Sequence, residues 1–373
     1  MDKFRVIAIN LPQYHPFKEN DEWWGKGFTE WTNVTKARPR FKGHYEPHLP
    51  ADTGFYDLRL PEARQMQADL AKDAGIYGFC YYHYWFNGHQ LMERPVNEIL
   101  SSGEPDFPFM LCWANENWAR NWDGGFKNVL IEQKYSKEDD INHMRWLCEK
   151  VFPDKRYIKV DGKPVFVVYR PALFPDIQDT ILTWRTVAKD YGYDLYLAFM
   201  LNWPEPNREK FIEAGFDSAI DFQPRLHTGF PKARLNPINW FFYRIRTKIL
   251  NILGRKSPIE TNLIRYKEYI DIEISREPKP YKEFPGITPS WDNSPRRINK
   301  PFWAIIENTP ELYGQWLKHI LKSFVPYSRE ENLIFINAWN EWAEGNHLEP
   351  DQKWGRAYLN ETRKVISEFQ TIE

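Results

Sequence analysis

The segment Phe335-Ile-Asn-Ala-Trp-Asn-Glu-Trp-Ala-Glu-Gly-Asn-His-Leu-Glu-Pro350 carries the sharpest chemical signal in the chain. An apolar run ends in three carboxylates, Glu341, Glu344 and Glu349, with Trp339 and Trp342 among them. Indoles beside a carboxyl group exclude water, which favours the protonated form. A carboxyl held protonated serves as a general acid, and a neighbour kept ionised serves as a base or nucleophile. Making or breaking a glycosidic bond needs such a pair, and sugar rings lie well on aromatic faces. Acids that merely complement a helix N-terminus would be the plain alternative, but Trp, Asn and Glu are poor choices for a plain loop.

Five other places load polar and aromatic residues at the ends of apolar runs. They are Gln13-Tyr14-His15, Tyr81-Tyr82-His83-Tyr-Trp-Phe-Asn87, Trp113-Ala-Asn115-Glu116-Asn-Trp118, Tyr169-Arg170, and Trp291-Asp-Asn293 followed by Arg296 and Arg297. His83 also fits a hydrogen-bonded core histidine. The sites expected to shape a sugar pocket are Tyr14, His15, Glu30, Tyr82, His83, Trp113, Asn115, Glu116, Tyr169, Trp291, Asn340 and Trp342.

Short apolar runs that alternate with amphipathic segments must position these groups. Expected strands are Arg5–Leu11, Tyr77–Tyr82, Phe107–Trp113, Pro164–Tyr169, Leu195–Leu201, Ser218–Phe222, Gly286–Pro289 and Leu333–Ala338. Near-continuous apolar runs are what parallel strands buried on both faces look like. Helical periodicity covers Pro61–Ala74, Lys137–Val151, Ile177–Tyr191 and Thr309–Phe324. Strand and helix alternating in this way predict a (β/α)8 TIM barrel, a single domain over 1–373, whose active-site face lies at the strands' C-terminal ends. Two long loop insertions interrupt it, at about 13–60 and 222–282. The first is far longer than an ordinary βα loop, and loops of that kind are usually functional or form a lid. The second holds Arg225, Lys232, Arg234, Arg244, Arg246, Lys248, Arg255 and Lys256 with no acid between Phe222 and Ile259. Its stretch 239–252 reads as a basic, aromatic amphipathic helix, which either packs on the barrel or makes a peripheral membrane contact.

Composition narrows the classes. Lys and Arg number 50 against 51 Asp and Glu, a balance that speaks against nucleic acid as a partner. With 17 Trp, 20 Tyr and 25 Phe, some rings are expected to line a surface. Cys80, Cys112 and Cys148 form no C-x-x-C, so neither a disulfide scaffold nor structural zinc is expected. The nine histidines are scattered and no Asp-x-Asp or His-Glu-x-x-His occurs, so the expected metal and cofactor are none. Gly25-Lys-Gly-Phe-Thr-Glu30 starts like a dinucleotide loop but ends in Glu and follows no strand closely. The short run Val6–Leu11 leads straight into Pro12, so no signal peptide is expected; with no long apolar span, the expected location is cytoplasmic.

Several long motifs resemble one family. Leu11-Pro-Gln-Tyr-His-Pro16, Asp21-Glu-Trp-Trp-Gly-Lys-Gly-Phe-Thr-Glu-Trp-Thr-Asn33, Gly78-Phe-Cys-Tyr-Tyr-His-Tyr-Trp-Phe86, Cys112-Trp-Ala-Asn-Glu-Asn-Trp118 and Asn337-Ala-Trp-Asn-Glu-Trp-Ala-Glu-Gly345 are similar to the WbsX-like proteins. These are glycosyltransferases of bacterial surface-polysaccharide (O-antigen, capsule) gene clusters, and the resemblance runs from about residue 4 to 360. WbsX-like proteins in turn resemble the endo-α-mannosidases of glycoside hydrolase family ninety-nine, (β/α)8 barrels that act with retention through a 1,2-anhydro sugar. The resemblance implies that Glu341 removes the proton of the sugar 2-hydroxyl and that Glu344 is the acid/base at the glycosidic oxygen. The hydrolase motif reads Glu-Trp-His-Glu, whereas Ala343 replaces the His here. The expected activity is therefore a retaining hydrolase or transglycosylase on α-linked, mannose-like oligosaccharide or polysaccharide. The alternatives are a glycosyltransferase that extends a surface glycan and a non-catalytic carbohydrate-binding barrel.

Overall fold

A computed structural model describes residues 4–119, 129–202, 207–225, 262–298 and 300–370, with four isolated positions between 245 and 252. Nine parallel strands form a nearly closed barrel: β1 (Arg5–Asn10), β2 (Gly78–Phe86), β3 (Phe109–Trp113), β4 (Lys163–Val168), β5 (Tyr196–Met200), β6 (Ser218–Ile220), β7 (Glu283–Phe284), β8 (Gly286–Ile287) and β9 (Leu333–Ile336). Their order is β7-β6-β5-β4-β3-β2-β1-β9-β8. Each of the eight expected strands coincides with one of these, and the short β7 is additional.

Pro285 explains the additional strand. Proline has no N–H to donate and interrupts a ladder. The residues before it pair with β6, Ala219 opposite Glu283 and Ile220 opposite Phe284. Those after it pair with β9, Gly286 opposite Phe335 and Ile287 opposite Ile336. Asp221 N–H donates to Phe284 O and Phe335 N–H to Pro285 O, each at 2.9 Å, so one split stave serves both neighbours. Gly286 is obligatory here: a Cβ would lie 1.7 Å from Asp221 O.

Helices cover the strands: α1 (Pro61–Asp73), α2 (Arg94–Ser102), α3 (Lys137–Trp146), α4 (Ile177–Asp190), α5 (Glu209–Glu213), α6 (Tyr266–Ile274), α7 (Pro310–Ser323) and α8 (Ala357–Gln370). Their starts follow local chemistry. Asp176 accepts the Asp179 N–H ahead of α4, and Thr309 accepts the Leu312 N–H ahead of α7, with Pro310 at its first position. The stretch 137–151 continues past α3 as a π-helical turn, Leu147–Val151. Val6, Ala8, Leu111, Val167, Ala198, Ile334 and Ile336 are fully buried, as strands walled on both faces must be.

The first insertion is packed down rather than open. It contains the short helices Lys18–Trp24 and Glu30–Lys36. Trp31 donates its indole N–H to Tyr56 O at 2.9 Å, and Ala51 N–H and Gln352 N–H make 2.9 Å bonds to Pro350 O and Leu49 O. In the second insertion the segment 239–252 lies, apart from isolated positions, outside the described residues, and with it the membrane contact expected there. Among the described residues no helix is long and apolar enough to cross a membrane.

Candidate active site

Beyond β9 the chain emerges at the C-terminal end of the barrel, the face where such barrels carry their sites. Asn340–Glu341 pairs antiparallel with Asn346–His347 around the tight turn Trp342–Glu344, and Gly345 closes the turn at φ 55°. A buried acid forms the foundation of this turn. The Glu349 carboxylate accepts from Trp342 Nε1 (2.7 Å), Gln67 Nε2 (2.7 Å), Tyr56 OH (2.8 Å) and Trp339 Nε1 (3.0 Å). Burial pushes its pKa up to about 7 against the pull of those donors. Asn340 accepts the Leu11 N–H at 2.7 Å and donates to Leu11 O at 3.0 Å, tying the turn to the end of β1. Tyr14 donates its hydroxyl to Asn340 O, with its ring against Trp31 and Tyr56.

On that base stands a cluster of three carboxylates around one guanidinium. Arg296, in the short turn Ser294–Arg296 after β8, places Nη1 2.5 Å from Glu344 Oε1. Its Nη2 lies 2.5 Å from Glu30 Oε1 and 2.8 Å from Glu341 Oε2. Trp291 Nε1 donates to the other oxygen of Glu344 at 3.1 Å. Burial is the largest influence on Glu341 and raises its pKa to about 8; Arg296 pulls it down, while Glu344 and Glu30 push it up. Glu30, completely buried, is also raised, again chiefly by burial. Both bonds come from one guanidinium, so Glu341 and Glu344 are held side by side at the same charge.

A cavity of about 280 Å³ opens onto this cluster. Tyr82, Tyr84, Trp118, Tyr169 and Phe222 supply aromatic wall, and Glu341, Glu344 and Arg296 the charged end. The rings brace one another edge to face: Tyr84 with Trp118 at 5.2 Å, Tyr169 with Phe222 at 5.5 Å, Tyr82 with Tyr169 at 5.8 Å. Glu116 also lines the cavity and pairs with Arg170.

Of the residues expected from sequence, Glu341, Glu344, Tyr82, Tyr169 and Glu116 thus meet at one cavity. Trp291 and Glu30 reach it through Glu344 and Arg296. The others lie outside the lining. His15 is buried with Nδ1 3.1 Å from Pro12 O, and burial lowers its pKa to about 4. His83 faces His143 at 2.9 Å and stacks on Trp146, a core pair whose burial lowers the His83 pKa to about 3. Trp113 is buried against Trp184 and donates to Trp85 O at 3.2 Å. Asn115 bridges to the end of β4 through Arg170 N–H and O at 2.8 and 2.9 Å. Tyr14, Asn340 and Trp342 hold the turn from behind through bonds to Asn340 O, Leu11 O and Glu349. Tyr84, Trp118 and the central role of Arg296 were not singled out from sequence. The alternation of Tyr82 with Tyr84 along β2 was the signal for the first; nothing local to Arg296 announces its three partners.

A family model described as Glycosyltransferase WbsX matches residues 6–362. The chain belongs to the WbsX glycosyltransferase family. Relatives include the uncharacterized protein WxcX of two Xanthomonas campestris pv. campestris strains, each 37% identical over 364 residues, 97% of this chain and 49% of theirs. The chain therefore spans about half the length of the curated relatives it matches. Among solved structures, a glycoside hydrolase-like protein is similar at TM-score 0.61 and 15% identity, covering 100% of this chain and 95% of that one. The family ninety-nine endo-α-mannosidase of Bacteroides thetaiotaomicron is similar at TM-score 0.57 and 13% identity, covering 99% and 98%. These likenesses show a shared barrel fold. This WbsX chain thus combines a glycan-active family with the barrel fold of those two structures.

Proposed function

We propose that the chain is a retaining glycoside-active enzyme, a hydrolase or transglycosylase, acting on α-linked, mannose-like glycans of bacterial surface polysaccharide. One observation carries the reading: Glu341 and Glu344 are gripped by the same guanidinium at the end of an aromatic-walled cavity. In the proposed reaction the Glu341 carboxylate takes the proton of the sugar 2-hydroxyl. That oxygen attacks C1 while Glu344 protonates the departing glycosidic oxygen, giving a 1,2-anhydro sugar. Water or an acceptor hydroxyl then opens the three-membered ring at C1, losing its proton to Glu344, and Glu341 returns a proton to O2. Two displacements at C1 retain configuration.

The matching family model favours a second reading, transfer from an activated donor to a growing surface glycan. There the leaving group is a phosphate that departs without needing a strong acid, and the Glu pair serves the acceptor. Thermal denaturation separates the readings, because a ligand that binds only the folded state raises the midpoint by mass action. Stabilisation by α-linked oligosaccharides, followed by their turnover and its loss in Glu341→Gln, is the expected result. Stabilisation by one nucleotide sugar alone would shift the assignment to transfer. Full activity in Glu341→Gln would remove the mechanism.

A further inference from the structure

We infer that His48, His347 and Asp351 form a binding site for one divalent cation of the zinc class, fastening the first insertion to the loop that follows Glu344. Each residue offers one ligand atom, and these atoms lie within 4.8 Å of one another. All three side chains are buried, at 7%, 6% and 3% exposure. The sequence shows only scattered histidines; folding brings residue 48 onto the loop 347–351.

The tautomer of His347 supports a ligand role. Its Nδ1 lies 3.0 Å from Glu349 O, and a carbonyl only accepts, so Nδ1 holds the proton and Nε2 presents a bare lone pair. A backbone carbonyl on the far nitrogen is the usual support of a metal-bound imidazole. Stacking on Trp342 at 3.7 Å and 12° fixes the ring plane. His48 Nδ1 stands 2.9 Å from that lone pair. Around a tetrahedral zinc two imidazole nitrogens sit about 3.3 Å apart, so a small opening of the pair admits the ion. Asp351 is held through Oδ1, which accepts the Lys353 and Trp354 N–H groups at 3.0 and 2.5 Å. Its Oδ2 faces the cluster, 3.9 Å from His347 Nε2. The Lys353 ammonium lies over the Tyr45 and Trp354 rings, 4.6 Å from each, instead of on that oxygen. Two nitrogens and one carboxylate suit zinc-class ions rather than magnesium or calcium, which prefer oxygen.

The neighbouring cluster of His44, Glu46 and Asp292 lacks this feature. There the Arg40 N–H donates to His44 Nδ1 at 3.0 Å, so Nε2 keeps its proton and gives it to Asp292 at 2.5 Å. None of His48, His347 and Asp351 lines the cavity, so no step of the proposed reaction passes through the ion.

The full chain, stripped with a chelator, is titrated with Co²⁺ and Zn²⁺ while visible absorption, metal content and thermal midpoint are followed. The expected result is one equivalent bound, Co²⁺ d–d bands, a midpoint that rises on loading, and two imidazoles around Zn²⁺ by X-ray absorption. His48→Gln should lower retained metal at least tenfold and remove the midpoint response, whereas His44→Gln should keep both. The wild-type titration decides even where a variant fails to fold. No Co²⁺ band and no midpoint shift would leave a His48–His347 hydrogen bond and overturn the site. A single-imidazole signature, or metal lost in His44→Gln and kept in His48→Gln, would overturn it in favour of the neighbouring cluster.

Discussion

Replacing Glu341 with Gln should stabilise the protein at alkaline pH while abolishing turnover. The folded-state pKa of Glu341 is about 8 against an ordinary 4.5. A raised acid pKa means that the folded chain binds this proton more tightly than the unfolded chain does. Wild-type stability therefore falls as pH rises from about 4.5 to about 8 and changes no further from this group above that. Holding the proton up to about pH 8 corresponds to about 5 kcal/mol at most. Local relaxation and water entry on ionisation reduce it, leaving an expected difference of about 2–4 kcal/mol. Gln keeps the shape and carries no charge, so wild type and Glu341→Gln should match near pH 5 and diverge toward pH 9, the variant being the more stable. Urea denaturation followed by Trp fluorescence at pH 5, 7 and 9 measures this directly. A difference that stays flat with pH, or a variant less stable at pH 9, would refute the electrostatic account of the cluster.

Other expectations follow from the same geometry. If Glu341 is the base, kcat/KM should fall as pH drops below about 8, since the free enzyme must present it ionised; a profile level down to pH 6 would contradict the role. Glu344→Gln should lose about 10²–10⁴ in turnover on unactivated glycosides and recover much of it on aryl glycosides, whose leaving groups need little protonation. Gly286→Ala drives a methyl group into Asp221 O at the barrel seam and should cost about 3 kcal/mol or more; a variant within about 1 kcal/mol of wild type would show the seam to be compliant.

The barrel was legible because parallel strands walled on both sides read as unbroken apolar runs. The split stave was legible only from Gly286 onward, since two residues before a proline carry no pattern of their own. At the site, the carboxylates and their strand end were plain, but which neighbours face the cavity was not. Along β2, Tyr82 and Tyr84 point into the cavity, while His83 and Trp85 point out toward His143 and Trp146. A strand alternates faces, so an aromatic cluster at a strand end contributes only every second ring. Trp113, paired in register with His83, faces the core for the same reason, whereas Asn115 lies past the strand end and is turned back onto Arg170. The Arg296 hub joins residues 30, 296, 341 and 344, a convergence that no local spacing encodes.

Tyr14, Glu30, Trp31 and Tyr56 belong to the first insertion: Tyr14 bonds to Asn340, Glu30 pairs with Arg296, Trp31 packs on Trp342, and Tyr56 bonds to Glu349 beneath the turn. Swinging that insertion aside would pull Glu30 off Arg296 and Tyr14 off Asn340, so it is masonry and not a door. On the proposed reading, glycan reaches the carboxylates past Ala114, Glu116 to Ala119 and Phe222, which border the cavity. On that reading, substitutions at Glu116, Trp118 and Phe222 should change which sugar is accepted while the Arg296 cluster stays in place.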